Sequence, residues 1–228
     1  MRHAPDALMI FAAGFGTRMR AMTANRPKPL IPVAGKPLID HALAFAEEAA
    51  IPRVVVNAHY LSSQITQYLS DRDVTVIEEQ PDLLDTGGGL KNAASLLSAD
   101  PVFTLNSDAV WAGPNPLDTL AAAWDPEVMD ALLLQIPISR AHGRQTGGDF
   151  DMDGEGRLTR SGDYVYSGAQ IIKTDLVAQI PDTVFSLNRV WTDIAAEQRL
   201  FGTVYPGHWC DVGHPDGIAE AERMLARV

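Results

Sequence analysis

Positive charge is scarce in this sequence. Its 18 Lys and Arg face 29 Asp and Glu, for a net charge of −11. That balance gives no electrostatic support to general nucleic-acid or anionic-membrane binding. An anionic substrate would have to be held by a few placed cations and by backbone amides. Cysteine is almost missing. The single Cys210 excludes an internal disulfide and any cysteine-based metal site, and it fits a reducing cytoplasm. No apolar run approaches the roughly 20 residues of a membrane span. The opening MRHAPDALMIFAAG has one Arg, an early Pro and Asp, and a very short apolar segment; it reads as a first strand rather than a signal peptide. No linker, repeat or low-complexity segment stands out.

What is present is an ordinary globular composition, 46% apolar and 21% charged over 228 residues. Short apolar runs at Ala7–Ala12, Arg53–Asn57, Val74–Glu78, Val102–Asn106 and Ala131–Pro137 read as strands. Between them, Pro37–Ala50, Leu61–Ser70, Gly88–Leu97 and Pro116–Trp124 carry helical spacing. This alternation predicts an α/β fold with a mostly parallel sheet covered on both faces. After about Ser139 the pattern changes. Asp153-Gly154 marks a hairpin, followed by an extended run at Tyr164–Ile172, a helix near Leu187–Gln198, a strand at Gly202–Tyr205 and a last helix from Pro215 to the end. One domain over 1–228 with a small β-rich insertion fits best. In open parallel sheets ligands bind beyond the carboxyl ends of the strands. The loops Ala13–Pro37, His59–Tyr60, Glu79–Gly89 and Ser107–Gly113 are therefore the ones to inspect.

Gly14 and Gly16 directly follow the first strand. Glycines there let successive N–H groups line a concave anion site. The alternative is a plain tight turn. A dinucleotide fingerprint fails because position 19 is Met19, and a P-loop fails because Gly35-Lys36 is followed by Pro37. Arg18 can fork onto phosphate oxygens. Lys28 stands in Arg26-Pro27-Lys28-Pro29, where the prolines are expected to keep the segment extended and to present the lysine from a stiff arm. Asp108, at the end of the Val102–Asn106 strand, is placed to hold Mg²⁺, or else to cap a turn.

The compound pattern Ala12-Ala13-Gly14-Phe15-Gly16-Thr17-Arg18-Met19, Pro27-Lys28-Pro29-Leu30 and Gly35-Lys36-Pro37-Leu38 resembles the signature of sugar-1-phosphate nucleotidyltransferases. The resemblance implies a Rossmann-like sheet of the nucleotide-diphospho-sugar transferase type. Its nucleotide-binding part would span about 1–115 and its sugar-phosphate part about 116–228. It implies a loop of Ala13, Gly14, Gly16 and Thr17 wrapping the NTP phosphates, Arg18 on the outer phosphates and Lys28 near the α-phosphate. His208-Trp209-Cys210-Asp211-Val212-Gly213-His214-Pro215 is similar to the family's ending, which makes Asp211 the second carboxylate for Mg²⁺ beside Asp108. Ser107 and His214 depart from the family's usual Gly and Thr. His208 and His214 read as exposed loop histidines, without a third ligand to make a transition-metal site.

The same resemblance places Gly87 and Gly88 of Asp85-Thr86-Gly87-Gly88-Gly89-Leu90 against the nucleoside, with Gln80 in the base pocket. It assigns Asn106 and Gly168 to the sugar. Ser186 is weighed as a helix cap, and Phe150, Trp191 and Trp209 as core. The triple glycine and the stretches Tyr166-Ser167-Gly168, Phe185-Ser186-Leu187 and Gly207-His208-Trp209 resemble the bacterial N-acetylmuramate-1-phosphate uridylyltransferases. The expected partners are UTP and that sugar phosphate, with no nucleic acid or membrane, in a monomer or homodimer. The alternatives are a mannose-1-phosphate guanylyltransferase, a glucose-1-phosphate uridylyl- or thymidylyltransferase, a phosphocholine cytidylyltransferase, or a non-catalytic nucleotide-sugar sensor. No C-terminal β-helix domain is expected. The stretch from Ala141 to Gly162 is the least readable part and is a candidate loop over the sugar site.

Overall fold

In the computed structural model residues 4–227 are described; the first three residues, and Val228 of the expected last helix, lie outside them. The strands in chain order are β1 (Ala7–Phe11), β2 (Arg53–Ala58), β3 (Thr75–Glu78), β4 (Val102–Asn106), β5 (Ala109–Ala112), β6 (Ala131–Pro137), β7 (Phe150–Met152), β8 (Leu158–Arg160), β9 (Tyr164–Ile172), β10 (Leu200–Val204) and β11 (His208–Asp211). The helices are α1 (Leu38–Glu48), α2 (Ser62–Tyr68), α3 (Asp85–Leu97), α4 (Pro116–Ala123), α5 (Thr174–Ala178), α6 (Leu187–Ala196) and α7 (Pro215–Leu225).

The main sheet runs β3-β2-β1-β4-β9-β6-β10. The block β3-β2-β1-β4 is parallel throughout, as is the β6/β10 pair. Strand β9 lies antiparallel between β4 and β6, with Gln170 beside both Thr104 and Leu133. The β7–β8 hairpin, turning at Asp153, joins the start of β9 through Phe150 opposite Tyr164. Both-face burial explains the unbroken apolar run of β1. Leu8 and Ile10 pack with Ile39, Leu43 and Leu117 on one side, and Ala7 and Met9 with Leu90 and Ala93 on the other.

Two expectations need correction. Ser107–Gly113 is not all loop, because Ala109–Ala112 forms β5, which pairs antiparallel with β11 (Val110 opposite Cys210) in a second small sheet. Its side chains are buried on both faces, so it shows no alternation to mark it as a strand. Helix α5 was not expected; at five residues it is too short to show a helical period. A third apolar cluster fixes the site's geometry. Met19 and Ile31 from the glycine-loop region pack with Val110, Cys210 and Val212 of the small sheet and with Ala221 and Met224 of α7. The phosphate-loop candidate and the chain's last two elements are thereby held as one body.

Candidate functional site

The glycine loop leaves β1 with its backbone braced from below. Asn57 Oδ1 accepts from Ala12 N at 2.8 Å, Asn57 Nδ2 donates to Glu79 Oε1 at 2.7 Å, and Leu84 N donates to Glu79 Oε2 at 2.8 Å. Glu79 is fully buried. A buried carboxylate is tolerated only when its oxygens are satisfied, and here it ties the start of the loop to the start of α3. Gly16 takes φ +62°, and a Cβ there would lie 2.9 Å from Lys28 Cβ. Only glycine lets the loop close over that lysine. Gly14, by contrast, has open space around it, as a position facing a ligand would.

Lys28 does not sit on an extended arm. Pro27 is extended, but Lys28–Leu30 forms a single 3-10 turn. The prolines fix φ, and that angle suits a helical turn as well as an extended chain. The turn sinks Lys28 to 8% exposure, with Nζ 2.8 Å from Asp108 Oδ2. Burial pushes the Asp108 carboxyl up, but the charge and hydrogen bond of Lys28, with Arg18 nearby, hold it below the usual carboxylate range. Asp211 goes the other way. Burial, and then the Asp108 charge, push it up to about 6, against the pull of Lys28, Arg18 and Arg144. Two carboxylates thus share a partly desolvated corner, and only one has a direct cationic partner among the described residues. A Cβ on Gly213 would come within 2.9 Å of both Arg18 Nη1 and Asp211 Oδ2, so the guanidinium and the carboxylate flank that glycine.

Two adjoining clefts meet at this corner. The first, about 310 Å³, is lined by Ala13, Gly14, Gly16, Thr17 and Lys28. The second, about 390 Å³, is lined by Gly168, Tyr166, Trp191, Arg144 and Asp211 among others. Arg18, Asn106 and Asp108 line both. Gly168 (φ +90°) sits where the register of β9 against β6 slips between Tyr166 and Gln170. A Cβ there would lie 2.8 Å from Asn106 Cβ. The slip opens β9 toward the second cleft, and it puts Asn106 and Gly168, both expected at the sugar, in contact. Ser186 caps α6 by accepting from Asn188 N, and Phe150, Trp191 and Trp209 are buried, as expected.

Three residues expected at the nucleotide do not line the first cleft. Gln80 turns away from the first cleft, donating to Glu78 Oε1 at 3.0 Å. Gly87 and Gly88 are inside the first turn of α3, and both N–H groups donate to the carbonyl of Phe185, at 2.9 and 3.0 Å. A Cβ on Gly87 would lie 2.4 Å from the Phe185 ring, and one on Gly88 2.2 Å from Thr183 O. These glycines admit the Thr183–Phe185 segment, and the residues of that turn that reach the clefts are Asp85 and Thr86. We expect Gly88→Ala to destabilise the fold by about 1–3 kcal/mol in urea or thermal unfolding. Overpacking against a backbone oxygen outweighs the roughly 1 kcal/mol that alanine gains in a helix. A more stable variant would show that the segment is free to shift.

Reading the sequence missed Arg144, Asp149 and Arg160 in the second cleft. The stretch that carries Arg144 is built onto the site. Ala141–His142 pairs with Trp209–Cys210, and His214 Nε2 contacts Gly143 O at 3.1 Å. Arg144 pairs with Asp149 at 2.5 Å. The Gly-rich, polar composition of the stretch gave no sign of this docking. His208 is exposed, away from both clefts.

The model of the MobA-like NTP transferase domain matches residues 8–146. The chain is 39% identical to an N-acetylmuramate alpha-1-phosphate uridylyltransferase of Caulobacter vibrioides over 99% of both chains. It is 30% identical to an enzyme of the same name from Neisseria meningitidis, over 95% of this chain and 96% of that one. A putative glucose-1-phosphate thymidylyltransferase from Bacillus anthracis superposes with a TM-score of 0.81 at 14% identity, over 97% of this chain and 95% of the other, which shows a shared fold. The match over residues 8–146 and the near-complete overlap with full-length relatives agree with the arrangement of loop, lysine and carboxylates: this chain belongs to the MobA-like NTP transferase family, among the sugar-1-phosphate nucleotidyltransferases.

Proposed function

We propose that the protein joins UTP and N-acetylmuramate 1-phosphate to give the UDP-sugar and pyrophosphate. The observation that carries this reading is the meeting of two clefts at Lys28, Arg18, Asp108 and Asp211. The names of the two bacterial relatives from Caulobacter vibrioides and Neisseria meningitidis support the substrate pair. A phosphate oxygen of the sugar would attack the α-phosphorus, a new P–O bond forming as the bond to the departing pyrophosphate breaks. That oxygen is already ionised at neutral pH, so no general base is required, and catalysis is positioning plus charge stabilisation. Lys28, held at the floor between the clefts, would stabilise charge growing on the α-phosphate. Arg18 and the N–H groups of Gly14–Thr17 would hold the leaving group.

Asp108 and Asp211 would hold Mg²⁺, which supplies charge neutralisation between two anionic reactants when bound. The donor set fits that ion. Two hard carboxylate oxygens face a cleft able to admit phosphates, Asp211 is pushed up by its like-charged neighbour, and no cluster of three or more His, Cys, Asp or Glu forms a closed cage among the described residues. Pyrophosphate release with Mg²⁺, scanning four NTPs against a panel of sugar-1-phosphates, tests the assignment. Turnover confined to UTP and N-acetylmuramate 1-phosphate is the expected result. Preference for another pair, such as GTP and mannose 1-phosphate, would keep the chemistry and overturn the substrates. NTP binding without turnover would favour a sensor.

A further inference from the structure

The second cleft holds a cation that the reaction itself does not use. Arg160, at the end of β8, lines it far along the chain from both metal-binding candidates. Its guanidinium lies over the ring of Phe150, 4.8 Å from the centroid, and over Trp191 at 5.6 Å. Its Nη2 donates to Asn188 O at 2.9 Å. Only that one of its five N–H donors is engaged among the described residues. Two aromatic faces and one carbonyl therefore fix the plane of the group while leaving most of its donors free.

Its charge is also only partly compensated. The acid whose charge acts on it, Asp149, gives one oxygen to Arg144 at 2.5 Å and the other to Tyr166 N at 3.0 Å. Two arginines share one aspartate at this end of the cleft, a surplus of one positive charge. The cations that act most on Asp211 are Lys28, Arg18 and Arg144. Arg160 is not among them, so it stands apart from the corner where phosphates would be joined. A pinned guanidinium with free donors suits a carboxylate, which it meets with a fork of parallel hydrogen bonds.

We infer that Arg160 is a specificity residue that binds a carboxylate carried on the sugar ring, selecting anionic sugar-1-phosphates over neutral ones. This rests on the substrate reading above. N-acetylmuramate differs from N-acetylglucosamine by a lactyl ether on O3 of the ring that bears a carboxylate, apart from the 1-phosphate at C1. Arg160 reads that substituent, and Lys28, Arg18 and Arg144 deal with the phosphates.

The test uses the full-length enzyme with Mg²⁺ and UTP, and measures kcat/KM for N-acetylmuramate 1-phosphate and N-acetylglucosamine 1-phosphate in wild type, Arg160→Met and Arg160→Lys. We expect Arg160→Met to lower kcat/KM for the muramate about 10- to 100-fold, through KM, the range for a lost charge-assisted hydrogen bond. Turnover of the neutral sugar stays within about twofold, which also reports an intact fold, and Arg160→Lys recovers part of the loss. Equal losses on both sugars would overturn the inference in favour of a packing role on Phe150 and Trp191. Unchanged discrimination in Arg160→Met, with wild type still preferring the muramate, would overturn it while leaving the substrate reading intact. A wild type that prefers the neutral sugar would overturn both.

Discussion

Lys28→Ala is expected to lower kcat by about 100-fold or more, the scale of removing one preorganised donor from a transition state. Lys28 is 8% exposed, with its ammonium 2.8 Å from Asp108. Little water can take its place, and the energy of a charge held in such a site is far greater than in solvent. KM for the NTP should change less, because in the proposed reading Arg18 and the loop amides would hold the outer phosphates independently. Arginine should not rescue the loss. Gly16 closes directly on the lysine's Cβ, and the planar fork has no room to settle in the same turn. Single-turnover pyrophosphate release separates the chemical step from binding. A normal single-turnover rate would remove Lys28 from the reaction and leave it as the counter-ion of Asp108.

Asp211→Asn should inactivate the enzyme and stabilise it. Losing one of the two carboxylates proposed to hold Mg²⁺ is expected to lower kcat/KM by about 100- to 1,000-fold, the several kcal/mol that metal charge stabilisation contributes. The stability effect has the opposite sign. Burial and the neighbouring Asp108 push Asp211 up to about 6, against 3.8 for an ordinary aspartate. A carboxyl raised in this way adds stability when protonated, and that stability is lost as pH rises through its folded value. At pH 7.5 in the absence of metal the wild type therefore carries an unfavourable charge that asparagine lacks. Tm of the variant should be higher there, by on the order of 2–4 °C for each kcal/mol relieved. The gap should shrink as pH falls from about 6 toward 3.8, the window between the folded and ordinary values. A variant less stable than wild type at pH 7.5 would mean that Asp211 is held by a partner strong enough to offset its burial.

The parts that could be read in the sequence share a property: their signal is local. The run of β1 declares both-face burial, and Asp153-Gly154 declares a hairpin. The loop from Ala13 to Arg18, with Lys28, carries its chemistry within a few residues, and these positions do line one cleft. What could not be read depends on partners remote in the chain. Strand β9 looks like any apolar run, and nothing in Tyr164–Ile172 states that it runs against its neighbours. Gly87 and Gly88 fit a nucleotide contact as well as a packing contact, and the residue that decides, Phe185, is about a hundred positions away. The prolines beside Lys28 restrict φ but leave ψ to the tertiary structure, which chose a turn. Arg160 belongs to a three-residue strand whose place in the cleft is set by the hairpin's pairing with Tyr164.

One carbonyl, that of Phe185, receives the N–H groups of both Gly87 and Gly88, and β9 is threaded between β4 and β6. Together these make the chain indivisible where its sequence looks divisible. The family model matches residues 8–146, which invites the idea of a portable nucleotide-binding half to which different sugar-binding halves could be joined. A cut there would strip β4 of its neighbour along one edge and leave the first turn of α3 with two open donors. A graft from a relative would have to match the bend at Thr183–Phe185 to the glycines of a helix it never met. Exchange of sugar preference by recombination between such proteins is therefore expected to succeed by small substitutions around the second cleft, and to fail by swapping halves.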